Sequence, residues 1–221
     1  GQKLDLDEKR YAEMKPLPAL TLENAQWRAD IVPDLNARVI RLIDKRGSAA
    51  TNLTRPFLPG EGSASLGVGG RLAPARGDYS ARAGGSSWAV GPQPAATLTL
   101  AGRCDNGARL RRTFMLSGGG LRTVTELANA GTSALPAALQ VRGEFAAGDI
   151  DRAAMAFTTR SGQPVKQQLL DPVKEPTGKQ TWTGADRPSA LWQLNQGGGS
   201  VVSVRFNDAE AERSFLNWTA K

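Results

Sequence analysis

Two charged side chains in the strand-like segment "LQVRGEF" (139–145) have types and spacing that suit a polar ligand. Arg142 and Glu144 are two residues apart, so a regular strand directs both toward the same face of its sheet. On a concave sheet, a guanidinium beside a carboxylate can hold a sugar hydroxyl or a uronate carboxylate. The alternative is a salt-bridged or solvent-facing pair on the convex face. Arg142 and Glu144 are therefore candidate ligand-binding residues.

A second candidate pair lies in the segment "VGGRLAPARGDY", within a stretch rich in Gly, Pro, Ser and Arg over residues 54–87. Glycines let the backbone approach a ligand closely, and Arg71 offers bidentate recognition of a carboxylate, with Tyr79 downstream. The stretch is too poor in apolar residues for a core element, and long loops often carry function. The alternative is an ordinary turn at "GGR" with no ligand.

Five tryptophans could supply a stacking surface for a sugar ring. Trp27, Trp192 and Trp218 lie inside strand-like runs, where packing in the core is the usual role, and Trp88 flanks the long loop. Trp182 lies in the polar segment "GKQTWTGADRP" without apolar neighbours. We therefore expect Trp182 to be the exposed candidate for sugar binding, with packing as the alternative.

The absence of histidine excludes several kinds of catalysis. The chain has no His and one Cys, so it has no imidazole acid or base, no histidine-activated nucleophile and no cysteine-built metal site. Asp149 and Asp151 could act as a carboxylate pair or bind calcium, but a polar turn between strands explains them. The segments "GVGG" and "SGGG" lack the context of a phosphate-binding loop. We expect no metal and no cofactor.

The charge balance permits several partners without selecting one. Lys+Arg is 28 and Asp+Glu is 21, a net charge of +7, which suits nucleic acid, anionic lipid or acidic polysaccharide. The basic residues are scattered, and no nucleic-acid-binding motif is present. No apolar run reaches the ~18 residues of a membrane span. We therefore expect no nucleic-acid partner and no membrane insertion.

The elements that must position these residues are predicted to be strands. Apolar residues alternate from residue 20 onward, and short apolar runs are separated by turns such as "DNG" and "SGGG". The segment 121–145 is typical of two antiparallel strands joined by a polar turn, and "DAEAERSF" (208–215) of a short helix or helical turn. This pattern predicts an all-β chain: a linker or the end of a preceding domain over 1–18, then one antiparallel β-sandwich over 19–221, complete or truncated at its C-terminus.

Three stretches of the predicted strands resemble the galactose-mutarotase-like supersandwich, the fold of the aldose epimerases and of domains attached to glycoside hydrolases and polysaccharide lyases. They are "ADIVPDLNARVIRLIDKRGSAATNL", "LGVGGRLAP" and "RRTFMLSGGGLRTVTELANAGTSALPAALQVRGEF", together about a third of the chain. The resemblance implies a family whose enzymes use a histidine as general acid and a glutamate as general base. Arg142 falls near the histidine position, and a guanidinium cannot exchange a proton at ordinary pH.

The resemblance therefore implies the fold without the epimerase chemistry. We expect a non-catalytic carbohydrate-associated domain of a larger bacterial protein, which packs on a catalytic domain and contacts glycan. By analogy with the family, the expected location is periplasmic or extracellular. Two alternatives stay open: a histidine-independent sugar enzyme that uses Arg71, Tyr79 and Glu144, and a stand-alone glycan- or protein-binding module.

Overall fold

The computed structural model shows a chain built mainly of β-strands. It covers residues 19–33, 37–54, 68–73, 89–90, 97–103, 108–134, 138–143, 145–146, 148–149, 151–169, 177–209, 211 and 213–219. Within these ranges there is no α-helix, and the paired strands are antiparallel. The prediction of an all-β chain is therefore confirmed for the described residues. The predicted linker over 1–18 lies outside them.

The chain divides into two compact units, Gly1–Phe145 and Ala146–Lys221, which we call the N-terminal and C-terminal units. The boundary between the two units lies inside residues 19–221, which the sequence predicts to form a single domain. The single domain stays a prediction. The strands of the N-terminal unit are β1 (Leu20–Glu23), β2 (Trp27–Val32), β3 (Arg38–Asp44), β4 (Thr51–Asn52), β5 (Val68–Ala73), β6 (Ala89–Val90), β7 (Thr97–Arg103), β8 (Arg109–Ser117), β9 (Gly120–Ala128) and β10 (Ala138–Gly143).

The N-terminal unit is a β-sandwich. Its six-stranded sheet has the order β1-β2-β3-β5-β10, with β4 paired to β3, and its four-stranded sheet has the order β6-β7-β8-β9. Apolar residues at alternate positions of both sheets form one core, because each strand turns every second side chain inward. The core contains Leu22, Trp27, Ala29, Ile31, Ala37, Val39 and Leu42 from the first sheet and its turn, and Leu98, Leu100, Phe114 and Leu116 from the second.

The alternating apolar residues on either side of "PDLN" (33–36) predict a hairpin, and β2 and β3 form this antiparallel pair. Its register shifts by one residue between Asp30 and Ile31, which marks a β-bulge. The bulge explains why the apolar alternation of "ARVIRLID" is imperfect: Val39 and Leu42 both face the core although they are three residues apart. A single inserted residue thus lets both ends of β3 bury apolar side chains.

Two predictions about the strands are wrong. The stretch 54–87 was expected to lack a core element, yet β5 lies within it, between β3 and β10 in the sheet. A strand is held by backbone hydrogen bonds, so glycines and few apolar residues do not exclude it. The expected hairpin over 121–145 is also absent from the described residues, because β9 pairs with β8 whereas β10 pairs with β5.

The C-terminal unit contains a four-stranded sheet with the order β12-β11-β14-β15 and a two-stranded sheet, β13-β16. Met155, Phe157 and Trp182 form its core, with Val165, Trp192 and Leu216 packed against them. Of the short helix or helical turn predicted over 208–215, the described residues show a turn at Asp208 and Ala209 and no helix, and β16 begins at Arg213. The strands are β11 (Ala154–Thr159), β12 (Pro164–Gln168), β13 (Thr177–Thr183), β14 (Pro188–Asn195), β15 (Val201–Arg205) and β16 (Arg213–Thr219).

Candidate functional site

The face of the six-stranded sheet opposite the core is rich in charged residues, and we call it the arginine face. Strand pairing places its members, because residues directly opposite one another share a face and every second residue of a strand returns to it. Its polar and charged members with described side chains are Thr21, Glu23, Arg28, Asp30, Arg38 and Arg41, and the apolar Val32 and Ile43 share the face. Its backbone positions on β5 and β10 are Gly69, Arg71, Gln140 and Arg142.

Asp30 is the centre of an ion-pair network on this face. Its carboxylate is only 1% exposed. Oδ1 accepts a hydrogen bond of 2.9 Å from the Thr21 hydroxyl and one of 3.0 Å from Arg28 Nε. Oδ2 lies 2.7 Å from Arg41 Nε on the neighbouring strand. A buried carboxylate needs such compensation, because removing it from water is costly. Two arginines around one carboxylate leave a net positive charge.

Arg38 adds a second buried charge to the arginine face. Its side chain is 1% exposed, and it lies opposite Val32 in the β2–β3 register. Val39 pairs with Val68, so extending this antiparallel register by one residue places Gly69 beside Arg38. Gly69 in turn pairs with Arg142. A row across four strands therefore runs from Val32 to Arg142, and Gly69 separates its two arginines.

The sheet brings together two of the predicted ligand-binding residues. Arg71 pairs with Gln140, and Arg142 pairs with Gly69, so the two arginines occupy diagonal positions on neighbouring strands. Diagonal positions of an antiparallel pair are about 7–8 Å apart. Val68 lies opposite the core residue Val39, so the positions of Arg71 and Arg142 belong to the arginine face. The other predicted members of this site, Tyr79 and Glu144, lie outside the described residues.

The prediction that Trp182 is exposed is wrong. Its side chain is only 8% exposed, and its ring meets Phe157 edge to face, with centroids 5.1 Å apart and an interplanar angle of 79°. The polar neighbours misled the prediction because Thr181 and Thr183 are the exposed residues, and Trp182 alternates with them toward the core. The indole packs between the two sheets of the C-terminal unit, and its predicted sugar-binding role had rested on exposure.

Trp27, by contrast, is buried as predicted, with 5% of its side chain exposed. Its Nε1–H donates a hydrogen bond of 3.3 Å to the carbonyl of Gly118, in the β8–β9 turn, so the indole joins the two sheets. The Arg46 guanidinium lies 4.3 Å from the centre of the indole. A hydrogen bond from Arg46 lowers the pKa of Asp44. These contacts account for Trp27 and Arg46 as structural residues.

An open cavity of about 570 Å³ lies on the four-stranded sheet of the C-terminal unit. Thr158, Lys166, Ser189 and Gln193 supply its polar groups, and no carboxylate lines it among the described residues. Ala190, next to this lining, has a positive φ of 60°, at the point where the β11–β14 register is interrupted. The cavity can donate hydrogen bonds to a ligand, but it has no pair of carboxylates for acid–base catalysis.

The remaining candidates for chemistry have structural explanations. Asp149 lies in an exposed turn, where its carboxylate is 3.4 Å from Arg152 Nε and accepts a long hydrogen bond from the amide of Asp151. In the described ranges, no three His, Cys, Asp or Glu side chains form a group that could hold a metal ion. The same part of the chain contains no helix long and apolar enough to cross a membrane.

Sequence reasoning missed the charged residues of β2 and β3. Asp30, Arg38 and Arg41 are not among the candidates chosen from the sequence. The signal that could have found them is Asp30 in "WRADIV", a carboxylate directly followed by two apolar residues in a strand that is buried almost throughout. A buried charge in such a strand requires compensating partners, which the arginines of β3 and β2 supply.

Among solved structures, the chain is similar to the crystal structure of the Slr1438 protein from Synechocystis sp. PCC 6803. The TM-score is 0.68 and the sequence identity is 16%, over 93% of this chain and 82% of that chain. At this identity, the similarity shows a shared fold alone. No protein-family model matches the chain. No curated protein matches it either.

Proposed function

We propose that this chain is a non-catalytic, carbohydrate-associated β-sandwich of the galactose-mutarotase-like type, and that its arginine face contacts an acidic glycan. The observation that carries the proposal is the backbone register of β5 and β10. It places Arg71 and Arg142, two candidates chosen separately from the sequence, at diagonal positions of one sheet face. Two arginines at diagonal positions of one sheet face suit the carboxylates of uronic acid residues, which arginine binds in bidentate fashion.

The charges elsewhere on the arginine face favour an anion over a neutral sugar. Asp30 is already engaged by Arg28 and Arg41, so it offsets only one of their two charges. The net charge of +7 for the whole chain would also draw an acidic polysaccharide toward it.

The non-catalytic part of the proposal rests on the absence of histidine and on Arg142 at the position where the resemblance places one. Arginine stays protonated at ordinary pH, so it can orient a carboxylate but cannot pass a proton to a ring oxygen. The domain would then serve a catalytic partner in a larger bacterial protein, in the periplasm or outside the cell, by holding glycan near it.

The test is a calorimetric titration with oligogalacturonate and, as the neutral match, cello-oligosaccharides of equal length. We expect binding of the acidic oligomer only, and at least a tenfold weaker affinity for Arg142→Ala and Arg71→Ala, equivalent to about 1.4 kcal/mol each. Arg142→Lys keeps the charge but loses the bidentate geometry, and it should weaken binding as well.

Arg111→Ala is the matched control, because Arg111 is an exposed arginine on the four-stranded sheet of the same unit. It removes the same charge at a different place. If Arg111→Ala and Arg142→Ala weaken binding equally, the attraction is general electrostatics and the proposed site is refuted. A polarimetric assay with α-galactose should show mutarotation at the uncatalysed rate, and an accelerated rate would refute the non-catalytic interpretation.

A further inference from the structure

The strand β9 forms an open edge of the four-stranded sheet. It is nine residues long, it pairs with β8, and no other strand in the described part of the chain pairs with it. Its side chains are accessible: Thr123 and Glu126 are exposed, and Leu127 is 40% exposed although its register position faces the core side of the sheet. Long edge strands with exposed apolar residues are templates for pairing with another strand.

The hydrogen-bonding groups on the free edge of β9 follow from its hairpin. Only Gly118 and Gly119 separate the paired residues Ser117 and Gly120, so this closing pair is hydrogen-bonded. Bonded and non-bonded pairs alternate from there, which turns the backbone groups of the even-numbered residues of β9 toward β8. The N–H and C=O groups of the odd-numbered residues therefore point to the open edge: Leu121, Thr123, Thr125 and Leu127.

The sequence of β9, "GLRTVTELA", is self-complementary about Val124. In an antiparallel pair centred on this residue, Arg122 of one copy lies opposite Glu126 of the other. By the same register, Leu121 lies opposite Leu127, and Thr123 opposite Thr125. Opposite charges, aliphatic pairs and threonine pairs across strands are the combinations that stabilise a sheet.

The hydrogen-bonding pattern selects the same register. In the pair centred on Val124, odd-numbered residues face odd-numbered residues, so the outward groups of both strands meet in about eight hydrogen bonds, two for each of four residue pairs. Centring the pair on Thr123 or Thr125 keeps this match but places Arg122 opposite Val124 or Ala128. Only the register centred on Val124 satisfies the backbone and both charges.

Arg111, the neighbour of Glu126 on β8, orients the Glu126 carboxylate for this contact. Arg111 donates to both carboxylate oxygens of Glu126, at 2.6 and 2.8 Å, which lowers the pKa of Glu126. A carboxylate has about four lone-pair sites, so it can accept a second arginine from another chain. The contact would join Arg111 and Glu126 of one copy to Arg122 of the other.

We propose that two copies of this chain associate through antiparallel pairing of their β9 strands, with the two-fold axis at Val124, so that the four-stranded sheet continues across both copies. Each copy contributes the same residues, as an isologous interface requires. The pairing also covers Leu127 with the partner's Leu121. The inference does not depend on the proposed glycan site.

The first test measures mass by light scattering on the purified full chain. We expect twice the 23.4 kDa of one chain, and the mass of a single chain for Thr123→Pro. Proline at this position removes an N–H that points to the open edge and leaves the bonds to β8 intact. A wild-type mass of one chain, or a Thr123→Pro variant that stays dimeric while folded by circular dichroism, would overturn the proposal.

The charge pairs allow a mixing experiment. Arg122→Glu places like charges opposite each other in a homodimer, and so does Glu126→Lys, so each variant alone should be monomeric. In an equimolar mixture, the glutamate introduced in the first variant faces the lysine introduced in the second, and the unchanged Glu126 of the first faces the unchanged Arg122 of the second. Both opposite-charge pairs are then present, which should restore the dimer. A mixture that remains monomeric, or single variants that dimerise as the wild type does, would contradict the assigned register.

Cysteine scanning tests the two-fold axis directly, in a Cys104→Ser background. Non-hydrogen-bonded antiparallel pairs have Cα atoms about 4.5 Å apart, within the range for a disulfide. Val124→Cys should therefore form a crosslinked dimer under mild oxidation. Arg122→Cys should not crosslink to itself, because its two copies would be ~13 Å apart along the strands. Crosslinking at 122 and not at 124 would refute the axis.

Discussion

Replacing Asp30 should destabilise the N-terminal unit by an amount that the contacts of its carboxylate define. Asp30→Ala removes the hydrogen bond from Thr21 and the pairs with Arg28 and Arg41. The hydrogen bond contributes about 1 kcal/mol. Each ion pair contributes about 0.5–1 kcal/mol, because the guanidinium groups are 38% and 53% exposed and solvent screens them. The free energy of unfolding should fall by about 2–3 kcal/mol.

The assay is urea denaturation, with hydrogen exchange of the amides in β1–β3 as the local measurement. Asp30→Asn keeps an oxygen that can accept from Thr21 but removes the charge, so its loss should be smaller than that of Asp30→Ala. Asp151→Asn, in an exposed turn, is the matched control and should change stability by less than about 0.5 kcal/mol.

A loss below about 0.5 kcal/mol for Asp30→Ala would refute the reasoning, because it would mean that the carboxylate is neither buried nor engaged. A double-mutant cycle with Arg41→Ala adds an independent check. Residues in direct contact usually couple by about 0.5–3 kcal/mol. A coupling near zero would show that the ion pair between Asp30 and Arg41, 2.7 Å apart in the structure, does not form in solution.

Two further predictions concern the C-terminal unit. Trp182→Ala should lower the free energy of unfolding of this unit by about 3–5 kcal/mol, because it empties a core site against Phe157. A mild loss of stability together with abolished glycan binding would instead support an exposed, sugar-binding Trp182. Gly197→Ala should destabilise by about 1–3 kcal/mol, because a Cβ there would collide with the backbone of Asp149. Gly198→Ala has open space and should be neutral in the same thermal denaturation, and equal losses for both would refute this steric argument.

The strands themselves could be predicted because their signal is local. The segments that became β8, β11, β14 and β15 alternate in hydrophobicity and each adjoins a glycine turn, so their sequence carries the information that a strand needs. In β8, burial alternates along the nine residues as this pattern requires, with Leu110, Phe114 and Leu116 facing the core. The burial of Trp27 was also predicted correctly, because Trp27 lies inside a strand-like run.

The pairing of strands that are not joined by a short turn could not be predicted, because it depends on residues far apart in the sequence. Apolar alternation fixes which residues face inward, but it does not say which strand lies beside which. The hairpin expected over 121–145 failed for this reason: its two strands exist, but they belong to different sheets. Trp182 failed for a related reason, since its burial depends on a sheet packed above it and not on its neighbours.

The candidate site depends on this non-local pairing more than on any single side chain. Arg71 and Arg142 were each plausible from their own segments, but only β5, a strand that the composition argued against, makes them neighbours. Two adjacent glycines, Gly69 and Gly70, lowered the expectation of a strand there. Gly69 is also the residue that separates Arg38 from Arg142 in the row across the sheet. The feature that hid the strand from the sequence is thus the one that would open a place for a ligand carboxylate.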